Sequence, residues 1–121
     1  MNVIWLPKAL GELEKAIRYS KREFGTKAAQ KFIAEVKQNN TRLMQNPRMG
    51  AREEQLSDLQ TEYRYLTVYP YKEIYHIEGE VVYIDLLWHT HRNPLYLQDE
   101  VRDYPMAVCE EALPYGKNIS D

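Results

Sequence analysis

Two histidines and an arginine follow one another closely near the end of the apolar segment VVYIDLLWHTHRNP, which spans residues 81–94. His89 and His91 are side chains that can take up or release a proton near neutral pH. Arg92 carries a permanent charge on a planar group that fits phosphate and carboxylate oxygens. The segment therefore combines acid–base groups with an anion-binding group.

Two further residues extend this set to one that could cleave RNA. Cleavage through the RNA's own 2′-hydroxyl needs a base for that proton, a cation for the charge that develops on the phosphate, and an acid for the leaving oxygen. Either histidine could be the base and the other the acid. Tyr96 could replace that acid, and Arg64 and Arg92 could be the cations. The same side chains could instead bind an anionic partner without any reaction.

Each of these residues also has a plain structural interpretation. Arg64 could pair with a surface carboxylate and contribute little to stability, and the two histidines could be partly exposed residues at a strand end. His89 and His91 with Asp85 on the same face resemble part of a metal site, but no further Cys or His cluster completes it. We therefore predict neither a metal ion nor a cofactor.

Residues 81–94 have the composition of a β-strand, in which successive side chains point to opposite faces of the sheet. One face would carry only apolar residues, and it must lie against another element, for which the helices upstream are the best candidates. The opposite face would carry the histidines. Strict alternation puts Val82, Ile84, Leu86 and Trp88 on the first face, and Tyr83, Asp85, Leu87, His89 and His91 on the second.

Helical periodicity dominates the first half of the chain. Pro7 suits the first turn of a helix, where its missing N–H costs nothing, and apolar residues then recur at helical spacing for about four turns. Gly25 is expected to end this helix in a left-handed conformation, and Thr26 to cap a second one. The second helix would stop at Asn46-Pro47. The short connection makes the pair an antiparallel helical hairpin.

Strand signals occupy the other parts of the body, with a loop between them at residues 48–62. Gly79-Glu80 is a two-residue link of the kind that joins hairpin strands. The predicted order of one strand, two helices and three strands indicates an α+β domain, with an antiparallel sheet and the helical hairpin packed on one face. The predicted strands are residues 2–6, 63–69, 73–78 and the segment that begins at Val81.

Composition limits the class of protein. The chain of 121 residues is 44% hydrophobic and 28% charged, which suits one soluble domain. No apolar run is long enough for a membrane span, and the first residues lack the pattern of a signal peptide. One cysteine excludes an internal disulfide framework. We therefore expect a cytoplasmic protein with no membrane partner.

The net charge of −2 is unevenly distributed. Residues 1–97 carry fourteen Lys and Arg against twelve Asp and Glu, whereas residues 98–121 carry two against six. We expect a short helix within residues 96–108 and disorder over residues 114–121. The mildly basic body permits contact with nucleic acid without requiring it, because a strongly basic patch would be the more specific sign.

The chain resembles the RelE/ParE superfamily of toxins from bacterial type II toxin–antitoxin modules, over about residues 3–97. It is most similar to the ParE-type branch, in which a strand ends in histidine and arginine before proline. The resemblance implies a toxin domain at residues 1–97 with an acidic extension at residues 98–121. The pattern comprises VIWLPKALGELEKAIRYSKREFG, then A-x-x-F at Ala29, L-x-x-x-P-x-x-G at Leu43, Tyr63-Arg64, and H-x-H-R-N-P at His89.

The resemblance implies a toxin of a plasmid-stabilisation type of module, neutralised by a cognate antitoxin and acting either on DNA gyrase or on mRNA at the ribosome. The nuclease branch carries a cluster of lysines in the middle of the chain, whereas the loop at residues 48–62 has only Arg48 and Arg52 as cations. A toxin that enters a ribosomal site is expected to be cationic. We therefore predict a toxin that inhibits growth by binding a target such as DNA gyrase, with Arg64 and Arg92 at the binding surface.

Two alternatives stay open at this point. One is a ribosome-dependent mRNA endoribonuclease that uses the histidines and arginines as catalytic groups, with Tyr96 as a further candidate. The other is a non-toxic regulatory partner of an antitoxin. The sequence also leaves open whether the protein forms a homo-oligomer. The catalytic candidates of the first alternative are Arg64, His89, His91, Arg92 and Tyr96.

Overall fold

A mixed β-sheet carries a helical hairpin on one face. The computed structural model describes residues 1–102. No helix among these residues is long and apolar enough to cross a membrane. The elements in chain order are β1 (Asn2–Trp5), α1 (Pro7–Phe24), α2 (Thr26–Gln45), β2 (Ala51–Arg52), β3 (Arg64–Val68), β4 (Tyr71–Glu78), β5 (Val81–His89) and α3 (Leu97–Arg102), with 3₁₀ turns at Glu54–Leu56 and Pro94–Tyr96.

Within residues 1–102 the sheet has five strands in the order β1-β5-β4-β3-β2. The α+β class is confirmed, and so is the hairpin on one face. The prediction of an antiparallel sheet needs one correction, because β1 pairs parallel to β5, with Asn2 opposite Val81 and Trp5 opposite Ile84. The helical hairpin and strands β2, β3 and β4 all lie between β1 and β5 in the chain, which is far more than the roughly twelve residues that a parallel pair requires.

The two helices form where the periodicity predicts them. Pro7 begins α1, and the buried residues of that helix lie on one stripe against the sheet. Gly25 has a positive φ of 94°, which glycine adopts without steric cost, and its N–H donates to the carbonyl of Lys21. The prediction that Thr26 caps α2 is wrong. A single residue separates the helices, so Gly25 precedes α2 and Thr26 is already its first helical residue.

Two clusters of buried side chains lie on opposite faces of the sheet. The sequence predicted only the cluster under the hairpin. In the structure, residues 53–63 and α3 also cover the second face of the sheet. The hairpin cluster includes Trp5, Leu10, Leu13, Phe32, Val36, Leu43, Tyr75, Val82, Ile84 and Leu87. The second cluster comprises Leu56, Tyr63, Ile74, Leu86, Trp88 and Leu97.

A β-bulge in β5 overturns the predicted alternation of that strand. Ile84 lies opposite Tyr75 and Leu86 opposite Ile74, so Asp85 is an extra residue without its own partner. An extra residue reverses the face of every side chain after it. Strict alternation was therefore right for the first half of β5 and wrong for the second, where Leu86 and Trp88 leave the hairpin face and Leu87 joins it.

The Pro47 to Gly50 segment is fixed to the sheet by one tyrosine. The hydroxyl of Tyr75 donates to the carbonyl of Pro47 at 2.7 Å and accepts the N–H of Gly50 at 2.9 Å. A Cβ at Gly50 would lie 2.6 Å from the carbonyl oxygen of Tyr65, so only glycine fits there. The predicted loop at residues 48–62 therefore contains a bound segment, β2 and a 3₁₀ turn.

The remaining predictions concern turns and the end of the body. Glu78 pairs with Val81 across the two-residue link, in which Gly79 has a φ of 59°, so the predicted hairpin is confirmed. The short helix expected within residues 96–108 is α3 as far as Arg102, and α3 crosses the predicted boundary between residues 97 and 98. The disorder predicted for residues 114–121 lies outside the described residues.

Candidate functional site

A groove lies where the turn of the helical hairpin meets the end of β5. It encloses about 790 Å³ between the last turns of α1, the first turns of α2 and the Tyr69-Pro70 turn. We call it the tip groove. Its aromatic walls are Tyr19, Phe24, Phe32, Tyr69 and Tyr71, and its charged or titratable rim is Glu12, Lys15, Lys31, Glu35, His89 and Arg92.

Aromatic side chains give the tip groove an apolar surface open to solvent. Phe24 is 70% exposed and Tyr69 is 74% exposed, which is unusual for side chains of that size. Deeper in the groove the ring of Tyr71 lies 5.6 Å from Phe32 and 5.2 Å from His89. Burial raises the pKa of Tyr71 above its ordinary value. The groove thus offers apolar area to a partner together with a few charges.

His89 lies at the edge of this groove as a neutral ring. The backbone N–H of His91 donates to its Nδ1 at 3.1 Å, so that nitrogen must be an acceptor without a proton. Burial and the neighbouring His91 lower the pKa of His89 below its ordinary value. The two imidazole rings are 5.0 Å apart. His89 is therefore chemically suited to accept a proton, while His91 lies on the exposed side.

Arg92 is held by two contacts at the rim. Its guanidinium stacks over the ring of Trp88 at 4.1 Å, and its Nη2 donates to Oε1 of Glu100 at 2.7 Å. Glu100, on α3, also pairs with Lys8 at the start of α1. These contacts orient the guanidinium and neutralise part of its charge. They also connect α3 directly to the tip groove.

Arg64 lies at a different place on the sheet. Its Nη1 donates to the carbonyls of Arg48 and Gly50 at 3.1 and 2.7 Å, and its Nε donates to Glu62 at 2.9 Å. Arg64, Arg52 and Arg48 together lower the pKa of Glu62, with the hydrogen bond from Arg64 as the largest cause. The side chain is only 19% exposed. Its hydrogen bonds thus hold the Gly50 segment against β3.

The pairing of β3, β4 and β5 shows how far Arg64 lies from the histidines. Arg64 lies opposite Tyr75 on β4, and His89 lies opposite Tyr71 on the other side of the same strand. Four residues along a strand correspond to about 14 Å, and the two strand spacings between β3 and β5 add about 10 Å in the perpendicular direction. The structure therefore brings His89, His91 and Arg92 together but leaves Arg64 apart. Tyr96 is 58% exposed in the turn before α3 and does not line the groove.

Asp85 and His89 lie on opposite faces of the sheet. The sequence placed them on one face as part of a possible metal site, and that placement is wrong. Oδ2 of Asp85 lies 2.7 Å from Nδ1 of His76 on the face opposite the hairpin. Burial alone favours a neutral His76, but the hydrogen bonds and charges of Asp85 and, to a smaller extent, Glu78 outweigh it and raise the pKa of His76. Within residues 1–102, no group of three or more His, Cys, Asp or Glu side chains could hold a metal ion.

Sequence reasoning missed two carboxyl groups beneath the hairpin. Glu12 accepts the N–H of Leu87 at 2.9 Å, where β5 extends past the end of β1, and burial raises its pKa. Glu73 is fully buried, and burial raises its pKa to about 8 although Asn39 donates to it at 2.8 Å. Acids beside apolar positions of an amphipathic helix or in a central strand are the signal that could have found them.

Comparison with known proteins decides the family. Residues 3–94 match the profile of a family described as "ParE toxin of type II toxin-antitoxin system, parDE". The chain belongs to the ParE toxin family. The match contains Arg64, His89, His91 and Arg92, whereas Tyr96 and the whole of α3 lie beyond it. Glu100, the partner of Arg92, is therefore outside the part that defines the family.

One solved structure shows the same fold in another ParE system. It is described as "Chromosomal ParDE TA system from P. aeruginosa", with a TM-score of 0.60 and 21% sequence identity, and the match covers 74% of this chain and 95% of that chain. At this identity the likeness concerns the fold. No curated protein matches the chain in sequence. The resemblance to the ParE-type branch is thus confirmed at the level of family and fold.

Proposed function

We propose that this ParE family member inhibits growth by binding a protein target, with DNA gyrase as the favoured target, and that a cognate antitoxin neutralises it. The observation that carries the proposal is the separation of Arg64 from the histidines. A ribonuclease needs its base, cation and acid within hydrogen-bond reach of one phosphate. Here one candidate cation is displaced by about 14 Å along the strands and by two strand spacings across them, and it is already bound to Arg48, Gly50 and Glu62.

The other candidate cation is also less available than the sequence implied. Arg92 is paired with Glu100, which leaves a partly neutralised guanidinium beside the two histidines. The body of the chain carries only a small excess of positive charge. Binding to ribosomal RNA depends strongly on phosphate contacts by Lys and Arg. Both features favour a protein surface over RNA as the target.

The tip groove is the place where we expect the antitoxin to bind. Exposed Phe24 and Tyr69 supply apolar area, and Lys15 and Lys31 supply positive charge at the rim. β2 pairs only with the first two residues of β3, so the outer edge of β3 from Leu66 onward is open to an added strand. We therefore expect an antitoxin segment that lies along the hairpin and this sheet edge, with apolar and acidic residues.

Induced expression without the antitoxin tests the proposal. We expect incorporation of labelled thymidine to stop before incorporation of labelled methionine, and the purified protein to inhibit supercoiling by gyrase. Co-expression with a small protein encoded next to this gene should restore growth and yield a complex that co-purifies. Immediate arrest of translation with normal supercoiling would overturn the gyrase assignment. Full growth without any co-purifying partner would favour a protein that is not toxic.

A ribosome-dependent ribonuclease is the second candidate, and one observation favours it. His89 has an unprotonated Nδ1 and a lowered pKa, as a general base requires. Mapping the 5′ ends of mRNA after induction distinguishes the two mechanisms. Cuts within codons that disappear in His89→Ala or His91→Ala would establish the nuclease, because a protein that only binds its target leaves mRNA ends unchanged.

A further inference from the structure

We propose that the acidic segment 103–121 of this chain occupies the tip groove of the same molecule. The groove has an open apolar surface, with Phe24 and Tyr69 mostly exposed. Apolar area of this kind is usually covered by something. Three features of the chain point to this segment as the occupant: where it begins, its charge and its apolar residues.

The segment begins close to the groove. α3 ends at Arg102, two residues after Glu100, and the carboxylate of Glu100 accepts the hydrogen bond from Arg92 at the rim of the groove. The acidic pair Glu110-Glu111 follows eight residues after Arg102. Eight residues of extended chain span up to about 27 Å. The cost of closing so short a loop is small compared with that of binding a separate molecule.

The charges of the segment and the groove are complementary. The segment carries Asp103, Glu110, Glu111 and Asp121 against one cation, Lys117. Lys15 and Lys31 line the groove, and neither forms a hydrogen bond or an ion pair with any residue in the range 1–102. The rim also carries two carboxyl groups, Glu35 and Glu12, and Glu12 already accepts the N–H of Leu87. Lys15 also lowers the pKa of Glu12 by its charge, yet neither lysine is held by a hydrogen bond among residues 1–102. The groove therefore offers two lysines to an acidic segment.

The apolar residues of the segment suit the aromatic walls. Tyr104, Met106 and Val108 are spaced two apart, and Leu113 and Tyr115 follow the acidic pair. Aromatic and methionine side chains are the types most enriched where protein surfaces meet. Docking would cover Phe24 and Tyr69 while Glu110 and Glu111 approach the lysines. Any partner that binds this groove, including the antitoxin of the proposed function, would then have to displace the segment.

The single cysteine of the chain, Cys109, lies inside the segment and permits a direct test. A nitroxide attached to Cys109 of the full chain should strongly broaden the amide signals of groove residues such as Tyr19, Lys31 and Tyr71. Signals of Met44 and Gly50, which do not line the groove, should keep their intensity. A diamagnetic label supplies the reference spectrum. This measurement reports occupancy of the groove and does not depend on whether the protein is toxic.

Charge reversal identifies the contact. Glu110→Lys with Glu111→Lys should abolish the broadening, and adding Lys15→Glu and Lys31→Glu should restore it. Arg42→Glu, at the far end of α2, is the matched control and should not restore it. Uniform or absent broadening in the native sequence would overturn the proposal. Equal broadening when spin-labelled molecules are mixed with separate isotope-labelled molecules would also overturn it, because a second copy would then fill the groove.

Discussion

Oδ2 of Asp85 lies 2.7 Å from Nδ1 of His76, and Asp85 is the extra residue of the β-bulge in β5. This contact holds the bulge in place. After the bulge, Leu87 and His89 face the hairpin side and Trp88 the opposite side. His89 thus reaches the tip groove because of a pair that does not itself touch the groove. A strand without the bulge would point the histidine away from it.

Removing one member of this pair should be costly. We expect Asp85→Ala to lower the free energy of unfolding by about 3 kcal/mol, because it leaves His76 buried without its partner. Urea denaturation measures the loss. Asp85→Asn keeps a polar contact and should cost less. Equal stability of Asp85→Ala and the native protein would show that the pair does not hold the bulge.

The pair of Asp85 and His76 also predicts that the stability of the fold depends on pH. The pKa of His76 is raised in the folded protein above its ordinary value of 6.5. The contact between the imidazolium and the carboxylate therefore stabilises the fold below about pH 6.5, down to the pH at which Asp85 takes up a proton, and burial raises the pKa of that carboxyl. It is lost as the pH rises through the folded pKa of His76. Stability measured by urea at a series of pH values, taken as the difference between the native protein and His76→Gln, should show this decline.

The raised pKa of Glu73 predicts a second dependence of stability on pH, which extends over a wider pH range. Its folded pKa of about 8 lies above the ordinary value of 4.5, so the unfolded chain releases the proton first. Stability should fall as the pH rises between these values. Glu73→Gln removes this pH-dependent contribution. The free energy of unfolding of the variant minus that of the native protein should therefore increase by about 3 kcal/mol from about pH 5 to about pH 7.

The exposed residue Glu80 gives a control for this comparison. Glu80→Gln removes one carboxylate from the turn between β4 and β5 without changing the core. Its stability relative to the native protein should stay constant over the same pH range. A Glu73→Gln variant that follows the native curve at every pH would mean that Glu73 is ionised beneath the hairpin.

Glu12 ties α1 to the part of β5 that β1 does not reach. Glu12→Ala should lower the free energy of unfolding by about 2 kcal/mol, because it leaves the N–H of Leu87 buried without an acceptor. Glu12→Gln keeps an acceptor oxygen at that position and should be close to native. Thermal melts of both variants measure the difference. If the two substitutions cost the same, the hydrogen bond to Leu87 is not the stabilising contact.

Local patterns in the sequence predicted the helices well, whereas long-range partners decided the rest. Pro7 and Gly25 begin and end α1 through their own backbone preferences, so sequence alone locates them. The bulge at Asp85 depends on His76 across the sheet, which alternation within one strand does not encode. The parallel pairing of β1 with β5 joins residues about eighty positions apart, and it has no local signal either.

The candidate site divides in the same way. His89 and Arg92 were found from the sequence because they lie within one short segment that ends a strand. Arg64 was assigned to the same surface, but its partners are carbonyl groups of a segment whose path the sequence did not define. The tip groove itself arises from four separate elements. Its aromatic walls could not be assembled before the packing of the hairpin was known.

Arg92 should matter more to growth inhibition than either histidine. A target or antitoxin carboxylate favours a permanent cation, whereas burial and His91 lower the pKa of His89 and disfavour its charged form. Arg92→Ala should raise the expression level needed for half-maximal inhibition about tenfold, which corresponds to about 1.4 kcal/mol of lost binding free energy. His89→Ala and His91→Ala should leave inhibition nearly unchanged. Growth curves at matched expression levels measure these effects.

Controls must separate binding from stability, because Arg92 stacks on Trp88 and pairs with Glu100. The stacking is worth about 1 kcal/mol, so Arg92→Ala should melt slightly earlier than native while staying folded. Glu100→Gln breaks the same ion pair but keeps the cation, and it should therefore remain toxic. If Glu100→Gln is as harmless as Arg92→Ala, then Arg92 acts by holding α3 in place. If Arg92→Ala stays fully toxic while folded His91→Ala is harmless, acid–base chemistry carries the activity and the binding mechanism is wrong.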